Sequence, residues 1–341
     1  MARLFEKLPK HRPLVFGTHS GAFHCDEVVA LSMLRMLIPD FELIRSRDDE
    51  RLCKADLIVD VGGKFDTEIF RFDHHQRGFS EYFSDKYRDI TRLSSAGLVY
   101  KYFGRDLLES AFDVPSHLTE QAFERIYDKF ILSIDAIDNG IDVADTRRYA
   151  VNTDLASRVG RMNPAWNESG VDEDVRFKEA MVIATEEIRA QVHGVVGIWL
   201  PARVIVEKAY ERRFEYHASG RIVRLDQFCP WIEHLTDIQE EELVSIGEKR
   251  KEQSQNEVLF GIFADSSGQF RVRAMPKERG SFENKLSFPE HIRGLRDKEL
   301  SDKSGIPDMV FVHHSGFIAG TQTEEAAIAL VELTLASGGL L

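Results

Sequence analysis

The chain has 341 residues, of which 43% are hydrophobic and 30% are charged, and its formal net charge is -13. This length predicts two domains of ordinary size, and the acidic charge argues against broad, non-specific binding to duplex DNA, which needs a basic face. No apolar run is long enough to span a bilayer, and three widely spaced cysteines form neither a disulfide framework nor a zinc motif. We therefore expect an intracellular protein with no membrane partner, in the nucleus, the mitochondrion or the cytoplasm.

The first half of the chain alternates short apolar runs with helical patterns. Leu14–Phe16 predicts a buried strand that ends at Gly17, and apolar residues at helical spacing follow from Asp26 to Ile38, before Pro39. The other predicted elements are strands at 41–44, 55–59 and 70–72, a helix from Ser94 to Phe103 that Gly104 ends, and an amphipathic helix at 118–137. This alternation predicts an α/β fold with a mostly parallel sheet flanked by helices.

The second half predicts a smaller α/β domain after a polar middle region. The region from 142 to 196 is predicted to be helical, most clearly at 173–192. The elements predicted beyond it are strands at 221–225, 258–263, 269–274 and 309–312, and a helix at 323–335 with Thr321 and Glu324 as its capping box. We place the domains at 10–195 and 196–341.

Histidine and aspartate side chains recur where predicted strands, and the long helix, end. Ligands bind at the carboxyl ends of strands in open α/β sheets, so side chains from separate strands can converge there. The metal-competent residues are His19, His24, Asp26, Asp60, Asp73, His74, His75, Asp135 and Asp138. They exceed the need of one tetrahedral ion, whereas two ions about 3.5–4 Å apart would use them all. Imidazoles combined with carboxylates favour manganese or magnesium over a thiolate zinc site.

The order of these residues resembles the DHH phosphoesterase superfamily. The segments GTHSGAFHCDEV, VDVGGKFD, RFDHHQRGF, LSSAGLVYKYFG, DAIDNGI and PDMVFVHHSGFIAG resemble the melanocyte-proliferating-gene-one exonuclease family, from about Phe16 to Leu335. The resemblance implies a DHH-type metal-binding catalytic domain with a helical extension, followed by a DHHA1-like substrate domain. It also implies a manganese- or magnesium-dependent phosphodiesterase that removes nucleotides from the 3′ end of RNA. We consider single-stranded RNA or short oligonucleotides as substrates, and a second copy of the chain as a homodimer partner.

The resemblance also implies roles for the metal ligands. His19 and His24 would bind the first divalent ion, Asp26 and His74 the second, and Asp60 would bridge both. Many members of the superfamily have Asp in place of His24, and a second imidazole favours manganese over magnesium. The preferred ligand at the helix end is Asp138, which resembles the Asp-Thr-Gly found elsewhere in the superfamily. Asp135, one helical turn earlier, could be the ligand instead or a residue that orients the ligands.

Asp73 and His75 are the catalytic candidates. His75 could donate to a phosphate oxygen or protonate the leaving oxygen, with orientation of the neighbouring ligand as its alternative role. Arg77 could clamp phosphate or be a solvated surface residue. Ser94 and Ser95 begin a helix, and they either hold an anion or cap the helix.

A second substrate-binding set is expected in the C-terminal domain. The segment 311–320 resembles the glycine-rich substrate-binding loop of the domain that accompanies DHH domains, and a second metal site is its alternative reading. The candidate residues are Arg273, His313, His314, Ser315, Gly316 and Gly320, with the glycines allowing the backbone to approach phosphate. Trp166, near Arg158 and Arg161, could stack on a base, but we expect it to be packed in the interior.

Three other functions compete with an RNA exonuclease. A small-molecule phosphohydrolase acting on pyrophosphate or oligonucleotide ends would keep the chemistry and change the substrate. A non-heme iron oxygenase could use His24, Asp26 and a distant histidine, although that triad does not need Asp60. The third alternative is an inactive scaffold. The chain argues against it, because every expected metal-ligand position carries a residue that can bind a metal ion.

Overall fold

Two units make up the chain in the computed structural model, which describes residues 4–10, 13–246 and 257–340. They comprise Met1–Gly197 and Ile198–Leu341. Within the described ranges, no helix is both long and apolar enough to cross a membrane. Each unit contains a five-stranded sheet.

The first unit is built on a mixed sheet. Its strands are β1 (Leu14–Thr18), β2 (Phe41–Arg45), β3 (Leu57–Val59), β4 (Phe65–Asp66) and β5 (Arg71–Phe72). The strands lie in the order β2-β1-β3-β5-β4, and each pair is parallel except β4 with β5. Phe16, Leu57 and Phe72 are fully buried on these strands. The parallel pairing brings the carboxyl ends of β1, β3 and β5 to one edge of the sheet.

Helices flank this sheet. They are α1 (Cys25–Leu37), α2 (Asp49–Leu52), α3 (Ser95–Ala111), α4 (Ser116–Ile126), α5 (Leu132–Asp138), α6 (Leu155–Gly160) and α7 (Glu173–Val192), with 3₁₀ turns at Leu4–Lys7, Thr67–Ile69 and Asp85–Tyr87. A π-helical turn, Tyr127–Ile131, joins α4 to α5, so the long helix predicted at 118–137 contains one wide turn. Another π-helical turn, His193–Trp199, follows α7. Helix α1 packs against α3 and α7.

Helix α3 is longer than predicted because Gly104 does not end it. The helix continues to Ala111. A Cβ atom on Gly104 would lie 2.8 Å from the ring of Phe123 and 3.0 Å from that of Tyr100. The glycine therefore allows close packing of α3 against α4 instead of acting as a stop.

The middle region is less helical than predicted. Residues 142–154 are irregular. Helix α6 begins after Asp154, whose carboxylate accepts a hydrogen bond from the Ser157 N–H at 2.8 Å. Helix α7 has the predicted bounds.

The second unit contains a mainly antiparallel sheet. Its strands are β6 (Ile222–Leu225), β7 (Phe260–Ala264), β8 (Phe270–Ala274), β9 (Met309–Val312) and β10 (Ile318–Thr321). They lie in the order β6-β7-β8-β10-β9, with β6 and β7 as the parallel pair. Short turns join β7 to β8 and β9 to β10, which allows antiparallel pairing. The helices are α8 (Leu200–Glu211), α9 (Arg213–Tyr216), α10 (Ile232–Ile246), α11 (Asp297–Ser304) and α12 (Glu324–Ser337), with a 3₁₀ turn at Glu290–Ile292.

Two details at the end of the chain differ from the prediction. Gly320 lies within β10 instead of a loop, because 318–321 pairs with both β8 and β9. The side chain that caps α12 is that of Thr323, which accepts a hydrogen bond from the Ala326 N–H at 3.3 Å. Thr321 instead donates its hydroxyl proton to the Thr323 carbonyl at 2.7 Å.

Candidate metal centre

The turn after β3 holds Asp60 in a strained backbone conformation. Asp60 has a φ of 58°, and the glycines at 62 and 63 have φ values of 97° and 62°. A left-handed conformation costs about 1–2 kcal/mol for a residue other than glycine, so surrounding contacts must hold Asp60 in place. The Asp60 carboxylate is buried and contacts His19, which follows β1, and His74, which follows β5. The structure therefore brings together side chains from three strand ends.

His19 lies between two buried carboxylates. Its Nε2 atom is 3.0 Å from Glu27 Oε1 and 3.3 Å from Asp60 Oδ2. Burial opposes the charge on the ring, but hydrogen bonds to Asp60 and Glu27 outweigh burial and raise the pKa of His19 to about 10. Nε2 of His19 therefore faces both carboxylates of its ligand group.

His74 connects Asp60 to the end of α5. Its Nδ1 atom is 3.5 Å from Asp60 Oδ1, and its Nε2 atom is 3.0 Å from Asp138 Oδ2. Burial favours the neutral form of Asp138, but the hydrogen bond and charge of His74 outweigh burial and lower the pKa of Asp138. Of the two helix-end candidates, Asp138 is therefore the one in contact with the strand-end residues.

Asp26 is fully buried and incompletely satisfied. Its Oδ2 atom accepts a hydrogen bond from the Ser95 N–H at 3.3 Å, whereas Oδ1 meets no donor among the described residues. Burial, and then the carboxylates of Asp60, Glu27 and Asp138, raise the pKa of Asp26 well above its ordinary value. A buried carboxylate oxygen without a partner is unfavourable, and a bound cation would satisfy it.

Asp73 orients His75 and the turn after β3. Its Oδ1 atom accepts hydrogen bonds from His75 Nδ1 at 2.7 Å and from the His75 N–H at 3.0 Å, while Oδ2 accepts one from the Gly63 N–H at 2.6 Å. The bond to Asp73 raises the pKa of His75. Burial favours neutral Asp73, but the bonds from His75 and Gly63 outweigh it and lower the pKa of Asp73. The His75 side chain is 60% exposed, and its Nε2 atom makes no hydrogen bond to any described residue.

Asp135 lies in a separate set of contacts. Its Oδ1 atom accepts hydrogen bonds from the Ser94 N–H at 3.0 Å, the Ser94 hydroxyl at 2.7 Å and the Gly97 N–H at 3.0 Å. Its Oδ2 atom accepts one from the Tyr127 hydroxyl at 2.9 Å. Burial raises the pKa of Asp135 to about 7 against the effect of these donors.

The two serines that begin α3 donate to protein carboxylates. The Ser94 hydroxyl donates to Asp135, and the Ser95 hydroxyl donates to Asp60 Oδ1 at 3.0 Å. In this arrangement neither hydroxyl is directed at an external anion. The serines instead join the first turn of α3 to the carboxylates around it.

Three groups of side chains could each hold a metal ion. Within each group the ligand atoms lie within 4.8 Å of one another. The groups are His19, His24, Glu27 and Asp60; Asp60, Asp73, His74 and His75; and His24, Asp26 and Asp138. Asp60 and His24 each belong to two groups, so the groups adjoin. The imidazole and carboxylate donors, together with the unpaired oxygen of Asp26, fit a divalent cation.

Glu27 is the member of these groups that the sequence prediction missed. Its carboxylate accepts hydrogen bonds from the His24 backbone N–H at 2.9 and 3.1 Å. The spacing of three residues between them is that of a capping box. This spacing could have indicated that Glu27 turns back toward His24 and the end of β1.

The loop that carries His24 is held from two sides. Asn163 pairs with both backbone groups of Phe23: it accepts from the Phe23 N–H and donates to the Phe23 carbonyl, each at 2.8 Å. The buried guanidinium of Arg45 donates to the Gly21 carbonyl at 2.6 Å. Because Phe23 directly precedes His24, these contacts fix the backbone that leads into His24.

Two further candidates of the first unit are exposed. Arg77, two residues after His75, makes no ion pair or hydrogen bond with any residue that the structure describes. Trp166 is 97% exposed, so the expectation that it packs in the interior is wrong. It lies in a turn closed by the Glu168 N–H, which donates to the Ala165 carbonyl at 3.0 Å. The turn follows Asn163 by only a few residues, and Asn163 is hydrogen-bonded to Phe23 beside His24.

The candidate residues of the second unit adjoin the turn between β9 and β10. Gly316 has a φ of 71°, and a Cβ atom there would lie 2.6 Å from Arg293 Nε. His313 Nδ1 lies 2.9 Å from the Ser315 hydroxyl, and His314 and Ser315 are exposed. Arg273 pairs in register with Ile318. Burial lowers the pKa of Arg273, and its guanidinium makes no ion pair with any described residue.

Comparison with known proteins identifies relatives over nearly the whole chain. The model of the family described as "Uncharacterised protein family (UPF0160)", MYG1 exonuclease, matches residues 15–335. The chain belongs to this family. It is 41% identical over 335 residues to MYG1 exonuclease of Mus musculus, covering 95% of this chain and 85% of the relative. It is 44% identical over 334 residues to a MYG1 protein of Caenorhabditis elegans, covering 95% and 96%, and 40% identical to MYG1 exonuclease of Homo sapiens, covering 95% and 86%.

Membership of the MYG1 family confirms the resemblance inferred from the motifs. A solved exopolyphosphatase-related protein from Bacteroides fragilis covers 98% of this chain and 94% of its own at 12% identity, with a TM-score of 0.21. A score this low supports no structural argument. The DHH-type and DHHA1-like assignments of the two units therefore stay predictions.

Proposed function

We propose that this MYG1 family member is a metal-dependent nuclease of the phosphodiesterase class, a 3′–5′ exoribonuclease that acts with two divalent ions. The observation that carries the proposal is the sharing of Asp60 and His24 between adjoining groups of possible ligands. The names of the mouse and human relatives support the nuclease class. The RNA substrate and the 3′–5′ direction rest on the resemblance described above.

The proposed metal ligands are those side chains that meet at the strand ends and at the end of α5. They are His19, His24, Asp26, Asp60, His74 and Asp138, with Glu27 in contact with His19. Manganese is the preferred ion and magnesium the alternative, because the set combines imidazoles with carboxylates. When bound, divalent ions lower the pKa of water and stabilise charge on a phosphoryl group.

His75 is the proposed donor to the substrate. Asp73 holds its Nδ1 atom at 2.7 Å, and this hydrogen bond raises the pKa of His75. The Nε2 atom makes no hydrogen bond to any described residue and can donate to a phosphate or leaving oxygen. Arg77 nearby supplies an uncompensated positive charge for the phosphate.

Trp166 is the proposed contact with a nucleobase. Full exposure of a tryptophan in a turn fixed by hydrogen bonds is unusual for a packing residue, and stacking on a base is sequence-tolerant. Arg158, exposed on α6, makes no ion pair with any described residue and can contact the backbone of the same strand. These residues favour an oligonucleotide over pyrophosphate.

In the second unit we propose that a further anion contacts Arg273 and the turn at His313–Gly316. A half-buried guanidinium without a carboxylate partner is unfavourable unless an anion reaches it. The exposed hydroxyl and imidazoles of the turn add hydrogen-bond donors. Gly320 has a packing role beside this set, because a Cβ atom there would lie 2.6 Å from the ring of Phe311.

The proposal is tested with a single-stranded RNA labelled at either end, incubated with manganese, magnesium or a chelator. We expect 5′-labelled RNA to give a ladder of shortened products, 3′-labelled RNA to release a mononucleotide at once, and chelator to abolish both. Asp60→Asn and His74→Ala should remove activity, whereas Asp89→Asn, on an exposed surface, should retain it. Hydrolysis of pyrophosphate without cleavage of RNA would favour the small-molecule alternative, and cleavage that survives Asp60→Asn would refute the proposal.

A further inference from the structure

Asp135 lies three positions before the ligand candidate Asp138, but its contacts are those of a structural residue. It is fully buried, where an ionised carboxylate is unfavourable unless it is hydrogen-bonded. Four donors meet its two oxygens, from Ser94, Gly97 and Tyr127. Among the described residues, no group of possible metal ligands includes it.

The space around Asp135 is built for its carboxylate. A Cβ atom on Gly97 would lie 2.3 Å from Asp135 Oδ2, a distance that no non-bonded pair adopts. Residue 97 must therefore be glycine while residue 135 carries this carboxylate. The π-helical turn that begins at Tyr127 brings the fourth donor, the Tyr127 hydroxyl, to the same point, and such turns are frequent at functional sites.

The first turn of α3 connects Asp135 to two of the ligand candidates. Ser95 directly follows Ser94, both of whose donors are bound to Asp135. The Ser95 hydroxyl donates to Asp60 Oδ1 at 3.0 Å and its N–H donates to Asp26 Oδ2 at 3.3 Å. Two of the proposed ligands are thus oriented by one residue, and Asp135 fixes the backbone that carries it.

We infer that Asp135 is a positioning residue of the metal centre: with Gly97 and Tyr127 it holds α3 so that Ser95 orients Asp60 and Asp26. This inference rests on the proposed function, because it assigns the metal-binding role at the helix end to Asp138. Partners that orient metal ligands in this way change metal affinity by about 10–100-fold when they are removed.

Manganese titration calorimetry on the full chain separates a ligand from a positioning residue. Asp135→Asn keeps an acceptor for Ser94 and Gly97 and should hold the manganese Kd within about threefold of the parent value. Asp135→Ala and Ser95→Ala should raise the Kd by about 10–100-fold, and Asp138→Asn, as the ligand control, by at least as much. If Asp135→Asn is as damaging as Asp138→Asn, Asp135 is a ligand and the inference is wrong.

A second measurement keeps the inference testable if the alanine variant folds poorly or the parent binds no manganese. Crystal structures of the chelator-treated parent and Asp135→Asn should keep the Ser95 hydroxyl within hydrogen-bond distance of Asp60, whereas Gly97→Ala should separate them. An unchanged Ser95–Asp60 contact in Gly97→Ala would overturn the inference. A parent that binds no manganese would refute the proposed function, and the Ser95–Asp60 contact in these structures would then decide separately whether Asp135 and Gly97 position Ser95.

Discussion

The buried carboxylate of Asp135 should make the stability of the chain depend on pH in a way that Asp135→Asn removes. Folding raises the pKa of this group to about 7, from about 3.9 in an unfolded chain. The folded state therefore binds the proton more tightly, so this group stabilises the fold most below pH 4 and progressively less as the pH rises toward 7. A shift of about 3 pKa units corresponds to about 4 kcal/mol.

Urea unfolding of the parent and of Asp135→Asn, in chelator, measures this difference. The free energy of unfolding of the parent, relative to the variant, should fall by about 2–4 kcal/mol between pH 4.5 and pH 8, with most of the fall complete by pH 7.5. Comparing the two proteins at each pH cancels the other titrating groups. A difference that is the same at pH 4.5 and pH 8 would show that burial does not dominate the ionisation of Asp135.

Three further predictions follow from exposed, charged and tightly packed positions. Trp166→Ala should raise the KM for an RNA oligonucleotide about tenfold and leave the manganese Kd unchanged. Trp166→Phe, which keeps an aromatic ring, should bring the KM most of the way back to the parent value. An unchanged KM in Trp166→Ala would exclude stacking. Manganese binding at pH 7 should release at least one proton from the ligand set, because the pKa of His19 is raised to about 10 and that of Asp26 is raised as well. Calorimetry in buffers of different ionisation enthalpy measures this release, and binding without it would contradict a ligand role for His19 Nε2. Gly104→Ala should destabilise the chain by about 1–3 kcal/mol, because the new Cβ would lie 2.8 Å from Phe123. The control Gly160→Ala, whose Cβ would have no atom within 4 Å, should leave the stability unchanged. Equal melting temperatures of the two variants would count against tight packing of α3 on α4.

Strand-end reasoning predicted the meeting of distant residues. Asp60 and His74 follow the neighbouring parallel strands β3 and β5, and a parallel sheet brings the carboxyl ends of its strands to one edge. The apolar patterns also indicated both β-rich halves, because buried strands are short apolar runs bounded by turns. The fold class and the location of the candidate metal centre could therefore be predicted from local sequence patterns.

The features that the sequence could not predict depend on contacts between different helices and strands. Gly104 has the local signature of a helix end, but its role is set by the ring of Phe123 on another helix. Asp135 and Asp138 are equivalent by helical spacing, and only the positions of Tyr127 and His74 separate them. Glu27 was missed because a carboxylate in the first turn of a helix is usually a capping residue, and here it caps and also contacts His19. Trp166 shows the reverse case, since an apolar side chain in sequence was assumed to be buried.

In the proposed function, Asp60 would lie between two divalent ions held by imidazole and carboxylate side chains. Anomalous diffraction from crystals of the protein grown with manganese would locate these ions. We expect two peaks about 3.5–4 Å apart, on either side of Asp60, with Asp135 in contact with neither. A single peak away from Asp60, or no peak at saturating manganese, would contradict the proposed function.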